Sequence, residues 1–118
     1  MHPLERTKAL LDQGVDLAHP LQALQQILGA VLELVSLPDN DFSWSSWRDA
    51  AHAQGELEGL MATLQSGALP DLLQVSVLFA ATGPLQELAM GSGWTDTYLR
   101  VAEVFDVVAP LQINENYK

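Results

Sequence analysis

The clearest pattern in the chain is an apolar stripe between residues 21 and 35. Apolar side chains recur there with the period of an α-helix, at Leu21, Leu24, Ile27, Leu28, Val31, Leu34 and Val35. The stripe predicts a helix of about four turns, which ends before Pro38 in the polar loop 36–41. Because the stripe is broad, short neighbouring helices would leave part of it exposed, and such a patch would favour a homodimer.

Two further helices are predicted beside this one. A first helix begins near Pro3 and is interrupted by the Ala-His-Pro sequence at 18–20, because a residue before proline is disfavoured in the helical region. Residues 42–67 predict a longer helix closed by Gly67, with a buried face made of Ala50, Ala53, Leu57, Leu60, Met61 and Leu64. Two glycines inside it, Gly55 and Gly59, would suit a bend or a close helix crossing.

The next segment, residues 70–81, has two possible interpretations. Its β-branched "VSVLF" sequence is compatible with a strand, but no second strand candidate exists to pair with it. We therefore interpret it as a buried helix behind Pro70. A short helix over 82–93 follows.

The last predicted helix covers residues 95–109, with Pro110 as its stop. Leu99, Ala102, Phe105 and Val108 are expected to face inward. The fold class predicted from all segments is all-α, an irregular bundle of five or six short helices. The chain of 118 residues is expected to form a single helical domain, with 110–118 as a loose tail.

Composition limits the functions that this helical domain can have. The chain has 118 residues, 48% of them hydrophobic, and no cysteine, which excludes disulfides, thiolate catalysis and cysteine-bound zinc. The apolar run 28–35 is too short to span a bilayer, and the N-terminus lacks the pattern of a signal peptide. These features predict a cytoplasmic protein that does not bind membranes.

The charge is strongly unbalanced towards acidic residues. Five Lys and Arg stand against fifteen Asp and Glu, a net charge of −10. No lysine or arginine lies between Arg48 and Arg100. Nucleic acid is not expected as a ligand, because phosphate binding needs clustered cations. An acidic surface instead favours a basic protein partner, although it also keeps a small protein in solution.

One helical segment carries spacing that a metal ion could use. Asp49, His52 and Glu56 stand at positions i, i+3 and i+7 of the predicted helix, so all three would share one face. That face lies away from the leucines and is better explained as a solvated surface. No motif for a cofactor is present, and neither a cofactor nor a metal ion is expected.

Aromatic residues mark a second candidate. Trp44 and Trp47 stand near the start of the predicted helix 42–67, and Arg48 follows them. Such rings either cover the end of a small core or line a site for a partner or ligand. Arg48 could stack on either ring.

The stretch "ATGPLQELAMGSGWTD", residues 81–96, predicts an elbow between two helices. Thr82 or Gly83 would cap a helix that begins at Pro84, and Gln86 could reach back to that cap. Gly93 would take the left-handed closing position with Trp94 packing back on the helix. Thr95 would cap the next helix. The candidate binding residues of the chain are Trp44, Trp47, Arg48, Gln86, Glu87, Trp94 and Asp96; no catalytic residue is proposed.

The sequences "LFAATGPLQELAMGSGW" and "YLRVAEVFD" within 78–106 resemble the C-terminal signature of a family of small, functionally uncharacterised bacterial proteins. In that family a Thr-Gly-Pro-Leu-Gln-Glu turn precedes a Ser-Gly-Trp. The resemblance covers about a quarter of the chain and implies a bacterial origin. It assigns no catalytic group.

Two functions remain open at this point. The first is a non-catalytic protein-binding module that presents an acidic face to a basic partner. Toxin-neutralising immunity proteins, which are often small, acidic and helical, are an analogy of type for it. The alternative is a small-ligand-binding or enzymatic domain with a pocket lined by tryptophans near residues 82–96.

Overall fold

The computed structural model of the chain describes residues 4–68, 72–80 and 83–116. Its helices are α1 (Glu5–Gln13), α2 (Pro20–Val35), α3 (Ala50–Gln65), α4 (Leu72–Leu78), α5 (Pro84–Ser92) and α6 (Thr95–Asn116). The described ranges contain no strand. The all-α prediction is therefore confirmed, and the "VSVLF" segment is helical as far as Leu78 rather than extended. The expected burial of this helix holds for Val75 and Leu78, whereas Leu73 and Val77 are exposed. Pro70 and Thr82 lie outside the described residues.

Helix α2 lies at the centre of the bundle and packs against α1, α3 and α6. The predicted stripe is completely buried from Leu24 to Val35. Leu21, the first residue assigned to it, is 37% exposed because it lies in the first turn, where no other helix covers it. The three surrounding helices cover the stripe within one chain, so the apolar patch that suggested a homodimer is not exposed. The homodimer itself stays a prediction.

Helix α1 obtains the cap at its N-terminus from α2. Its own cap residue, Leu4, has no side-chain hydrogen bond to offer. The Glu33 carboxylate of α2 accepts the backbone N–H groups of Arg6 at 2.9 Å and Thr7 at 2.7 Å. The Thr7 hydroxyl donates to the same carboxylate at 3.0 Å and to the Ala30 carbonyl at 3.1 Å. A negative charge at this position also interacts favourably with the positive end of α1.

Helix α3 is shorter than the predicted helix 42–67, because the chain before Ala50 forms turns and bends. Its start is fixed by Asp49, whose side chain accepts the His52 N–H at 2.9 Å. Gly67 closes the helix as predicted, with φ +86° and a bond from its N–H to the Leu64 carbonyl.

The two interior glycines of α3 do not mark a helix crossing. A Cβ built on Gly55 or Gly59 would meet no atom within 4 Å, and both residues are exposed. The expectation of a close approach there is wrong. These positions face solvent, where glycine costs helix stability without a packing gain.

Helix α6 differs from its prediction in two respects. Its buried face is Tyr98, Val101, Phe105 and Val108, whereas Leu99 is 46% exposed; the inward face is therefore rotated by one residue at its start. Pro110 does not stop the helix. Proline removes one backbone hydrogen bond, and the carbonyl that loses it belongs to Asp106, an exposed residue where water can replace the donor.

An aromatic stack joins the end of α4 to α6. The Phe79 ring lies 4.1 Å from the Phe105 ring and 6.4 Å from the Tyr98 ring, both nearly parallel to it. Burial raises the pKa of the Tyr98 hydroxyl, and the nearby Asp106 carboxylate acts in the same direction. Within the described residues, no helix is both long and apolar enough to cross a lipid bilayer.

Candidate functional site

Helix α5 begins at the elbow predicted from the sequence. Gly83 is its cap residue, and Pro84 is its first helical residue. Gly83 is buried, and a Cβ there would collide with the backbone carbonyl oxygen of Val77 and stand 3.2 Å from that of Leu78. Only glycine fits this position, because α4 and the start of α5 approach so closely.

The closing end of α5 also agrees with the prediction. Gly93 takes the left-handed conformation at φ 85° and ψ 18°. The N–H groups of Gly93 and Trp94 both donate to the Ala89 carbonyl, at 3.0 and 3.1 Å, so Trp94 folds back onto the helix that it follows.

Two expected caps at the elbow are wrong. Thr95 was expected just before α6 but is already its first residue. The first backbone hydrogen bond of α6 runs from the Tyr98 N–H to the Trp94 carbonyl, at 2.9 Å, so Trp94 holds the cap position. Gln86 does not reach back to Gly83, because the Gly83 N–H donates to the Ala80 carbonyl at 2.9 Å. The Gln86 amide nitrogen lies instead 3.9 Å from the Met90 sulfur. Asp96 lies in the first turn of α6, as expected, and is exposed.

The structure brings together the two regions that the sequence singled out. The loop of residues 36–49 lies against α5 and Trp94. Four hydrogen bonds join them: Trp94 Nε1 to Asn40 Oδ1 (2.8 Å), Asp41 N to Ser92 Oγ (2.9 Å), Ser46 N to Glu87 Oε1 (3.3 Å) and Ser45 Oγ to the Pro84 carbonyl (3.5 Å). Glu87 lies in the first turn of α5 and is therefore also a contact to the loop.

The three tryptophans have different environments. Trp47 is 2% exposed, and its indole N–H donates to the Glu56 carboxylate at 2.7 Å. Trp94 is 8% exposed and donates to Asn40. Trp44 is 77% exposed. Two rings therefore belong to the core and one faces solvent, so the three do not line one pocket. A shallow depression at the elbow is lined by Trp94 and its neighbours 93–97 alone.

The exposed Trp44 ring lies over α5. Its Cδ1 atom is 4.0 Å from the place that a Cβ would take on Gly91, and the Asp41 backbone oxygen is 3.4 Å from the same place. The preceding residue on α5, Met90, is 65% exposed. We call Trp44, Met90, Gly91 and Asp41 the Trp44 surface. It is a solvent-facing apolar patch with a carboxylate at its edge.

Hydrogen bonds hold the backbone of this loop in place at Asp41. Its carboxylate accepts the Ser43 N–H at 2.9 Å. Hydrogen bonds from Ser43 hold the pKa of the Asp41 carboxyl below its usual value. The bond from the Ser43 side chain has the larger effect, and the bond from its backbone N–H adds to it. At neutral pH the edge of the Trp44 surface is therefore negatively charged.

The three residues whose spacing would suit a metal ion make other contacts. Asp49 caps α3, Glu56 accepts the Trp47 indole N–H, and His52 Nδ1 accepts the Arg48 backbone N–H at 3.1 Å. No group of three His, Asp or Glu that could hold an ion occurs in the described ranges. Arg48 is exposed, and within those same ranges it stacks on no ring, since the ring contacts are those of Phe79.

Sequence reasoning missed the residues that fix the loop. Asn40 and Ser92 were not candidates, because a short polar residue in a loop or at a helix end has no distinctive pattern. Glu33 lies within the apolar run 28–35, and nothing in that run indicates its contact with α1. Their roles depend on partners that are distant in sequence.

Comparison of the chain with protein families, with curated proteins and with solved structures found no match in any of the three. The resemblance to the bacterial Thr-Gly-Pro-Leu-Gln-Glu family stays a prediction.

Proposed function

We propose that the protein is a non-catalytic, cytoplasmic protein-binding module that presents an acidic face to a basic partner. The observation that carries the proposal is Trp44, a large ring that is 77% exposed on a loop fixed to α5. Tryptophan is enriched among the residues that dominate binding energy at protein interfaces. The side chains of the other two tryptophans are buried in the core, whereas most of the Trp44 side chain is exposed to solvent.

Two properties of the Trp44 surface support its use as an interface. The four hydrogen bonds from the loop, three to α5 and one to Trp94, hold the backbone around the ring, which lowers the entropy lost when a partner binds. Met90, which precedes Gly91 on α5 and is 65% exposed, adds a flexible apolar side chain that adapts to a partner's shape.

The electrostatics favour a basic partner. The net charge is −10, and in the part of the chain that the structure describes no lysine or arginine pairs with a carboxylate; the ion pair there is His19 with Asp16. The acidic charge is thus available to a partner. Complementary charge accelerates association and disfavours acidic competitors. An inhibitor of the immunity type, which neutralises a basic toxin, is one protein of this description.

Affinity capture from the source organism at low and high salt tests the proposal. The Debye length falls from about 10 Å at 0.1 M to about 3 Å at 1 M salt, so we expect a basic protein that is retained at low salt and released at high salt. The purified partner should then bind the Trp44→Ala variant at least about tenfold more weakly, the range of an interface hot spot.

Leu99→Ala is the matched control, because Leu99 is also a large exposed apolar residue but lies on α6. It should leave binding unchanged. Both variants should keep the free energy of unfolding within about 0.5 kcal/mol of the parent. Equal loss of binding in the two variants, or a captured partner that is acidic, would contradict the proposal. A stable dimer that Trp44→Ala dissociates would assign the surface to self-association instead.

A further inference from the structure

A second candidate site lies between α1 and α3, which both pack against α2. The groove between them has a volume of about 280 Å³. This is near the lower limit of the roughly 300–1,000 Å³ typical of ligand sites, so it suits a small molecule. Its lining includes Arg6 and Gln13 of α1, Gln25 of α2, and Met61 and Gln65 of α3. It shares no residue with the Trp44 surface.

The charge of this lining is opposite to that of the whole protein. Fifteen acidic residues occur in the chain, yet none lines the groove, whose charged side chain is Arg6. Arg6 extends across Gly29, where a Cβ would stand 3.1 Å from its Nη1 atom. The guanidinium forms no ion pair among the described residues, because the nearby Glu33 carboxylate binds backbone N–H groups of α1 instead. An anionic ligand would satisfy it.

Gln25 supplies a second, independent indication of a ligand. Its side-chain oxygen is buried and has no hydrogen-bond partner. A buried polar atom without a partner destabilises the fold, and such atoms are rare in folded proteins. A ligand with an N–H group would satisfy this oxygen. The apolar walls, which include Leu10 and Met61, would cover a short hydrocarbon body.

We propose that this groove binds a small organic carboxylate that also carries an N–H donor and an apolar body. The carboxylate pairs with the Arg6 guanidinium, and the hydrocarbon part packs on Leu10 and Met61. Because Gln25 Oε1 has no exposed surface in the free chain, the Gln25 amide turns into the groove on binding and accepts the N–H of the ligand. The proposal does not depend on the Trp44 surface, because neither its residues nor its ligand class are shared.

Three matched probes test each part of this recognition. N-acetyl-L-leucine has all three features, N-acetyl-L-leucinamide lacks the carboxylate, and 4-methylpentanoate lacks the N–H group. In titrations followed by ¹H–¹⁵N NMR, N-acetyl-L-leucine should shift the amide signals of Gly14 and Gly29, two residues of the groove. The other two probes should bind at least about tenfold more weakly, the usual effect of one hydrogen bond to a charged or buried group.

Variants assign the two polar contacts. Arg6→Gln should weaken N-acetyl-L-leucine binding about tenfold and remove the preference for the acid over the amide. Lys8→Gln removes one positive charge from the same helix but outside the groove, and it should change nothing. Gln25→Met should remove the preference for N-acetyl-L-leucine over 4-methylpentanoate.

Several outcomes would overturn the assignment. These are equal affinity of the parent protein for acid and amide, equal effects of Arg6→Gln and Lys8→Gln, signal changes confined to residues outside the groove, or no binding of any probe. Arg6→Gln should fold normally, because the contact of Arg6 to Glu33 uses its backbone N–H. Circular dichroism of each variant checks that the helices are retained.

Discussion

Helix α2 and the loop of residues 36–49 are consecutive in the chain but are held in different ways. Between Leu24 and Val35, α2 buries every residue of its apolar stripe, so its position depends on area removed from water. The loop buries Trp47, but most of its fixed contacts are single hydrogen bonds. Four of these join residues between 39 and 54 positions apart.

This difference explains why the loop suits an interface and α2 does not. A helix that is buried on its apolar face offers a partner little apolar surface; in the α2 stripe the exposed residue is Leu21, at 37%. A loop that is fixed by polar contacts can leave Trp44 exposed and still present it in one place. The proposed function therefore depends on the less regular of the two regions.

The largest effect in this comparison is expected from Leu28→Ala in α2. Leu28 is fully buried, and removing such a side chain leaves a cavity. The free energy of unfolding should fall by about 2–5 kcal/mol, measured by urea denaturation. Leu21→Ala, on the same helix but partly exposed, is the control and should cost less than about 1 kcal/mol. Similar losses for both would mean that burial is not what holds α2.

A smaller but more local effect is expected from Asn40→Ala in the loop. The Asn40 side chain accepts the Trp94 indole N–H at 2.8 Å and donates to the Leu34 carbonyl at 2.8 Å. Its loss leaves the Trp94 indole N–H without this acceptor, while the Leu34 carbonyl keeps the Leu37 N–H at 3.3 Å; the change should cost about 1–3 kcal/mol.

Hydrogen exchange of the Trp94 indole N–H, followed by NMR, gives the specific readout for Asn40→Ala. Exchange of this indole N–H should be faster in the variant, while exchange of the α2 amides should rise only in proportion to the loss of global stability. Asp39→Ala changes the neighbouring exposed residue and should leave the exchange unchanged. An unchanged indole exchange rate in Asn40→Ala would show that the loop is not fixed by this contact.

The same contrast separates what the sequence predicts from what it does not. The α2 stripe, the buried face of α3 at Ala53, Leu57 and Leu60, and the Gly93–Trp94 ending are local patterns that periodicity and turn chemistry describe. The start of α3 was placed too early, because aromatic residues in the loop resemble the beginning of a helix. The actual start depends on Asp49 as a cap.

Contacts between distant residues could not be predicted in this way. Nothing in the sequence near Asn40 or Glu87 indicates that they will meet the other region, because that meeting depends on how α5 packs. The prediction of a cap at Thr95 was wrong for a related reason. The turn at Gly93 brings Trp94 back to α5, and α6 then begins one residue earlier, with the Trp94 carbonyl accepting the Tyr98 N–H. The groove with Arg6 and Gln25 likewise joins residues of three helices.

Glu33 is an exception to the contrast, because it lies in α2 yet acts through hydrogen bonds. Glu33→Ala removes the acceptor for the N–H groups of Arg6 and Thr7 and should cost about 1–2 kcal/mol, as for the loss of a helix cap. Denaturation should show this loss, and amide exchange should rise first in α1.

Two companion variants sharpen the Glu33 experiment. Glu33→Gln keeps an acceptor oxygen but loses the charge, so its cost should be intermediate. Glu58→Ala removes an exposed carboxylate of α3 and should change stability by less than about 0.5 kcal/mol. A cost for Glu33→Ala as small as that of Glu58→Ala would show that α2 is held by apolar burial alone.

The smallest expected effect is an acid response confined to the loop at Asp41. Hydrogen bonds from Ser43 lower the pKa of this carboxyl in the folded protein. Since the folded pKa lies below the unfolded one, the contact stabilises the loop above the unfolded pKa of about 3.9 and is lost as the pH falls through the folded pKa. The Ser43 amide shift in NMR should therefore titrate with a midpoint below that of a peptide of residues 39–45.

Asp41 is exposed, so the change should alter local contacts rather than unfold the protein. The Leu24 amide, buried on α2, should keep its shift over the same pH range. Asp41→Asn should abolish the titration of Ser43, because no ionisable group then remains at the contact. Equal midpoints in protein and peptide would show that Ser43 does not bind the carboxylate in solution. Asp41 would then give the Trp44 surface a negative charge, but its carboxylate would not hold the loop backbone through the Ser43 N–H.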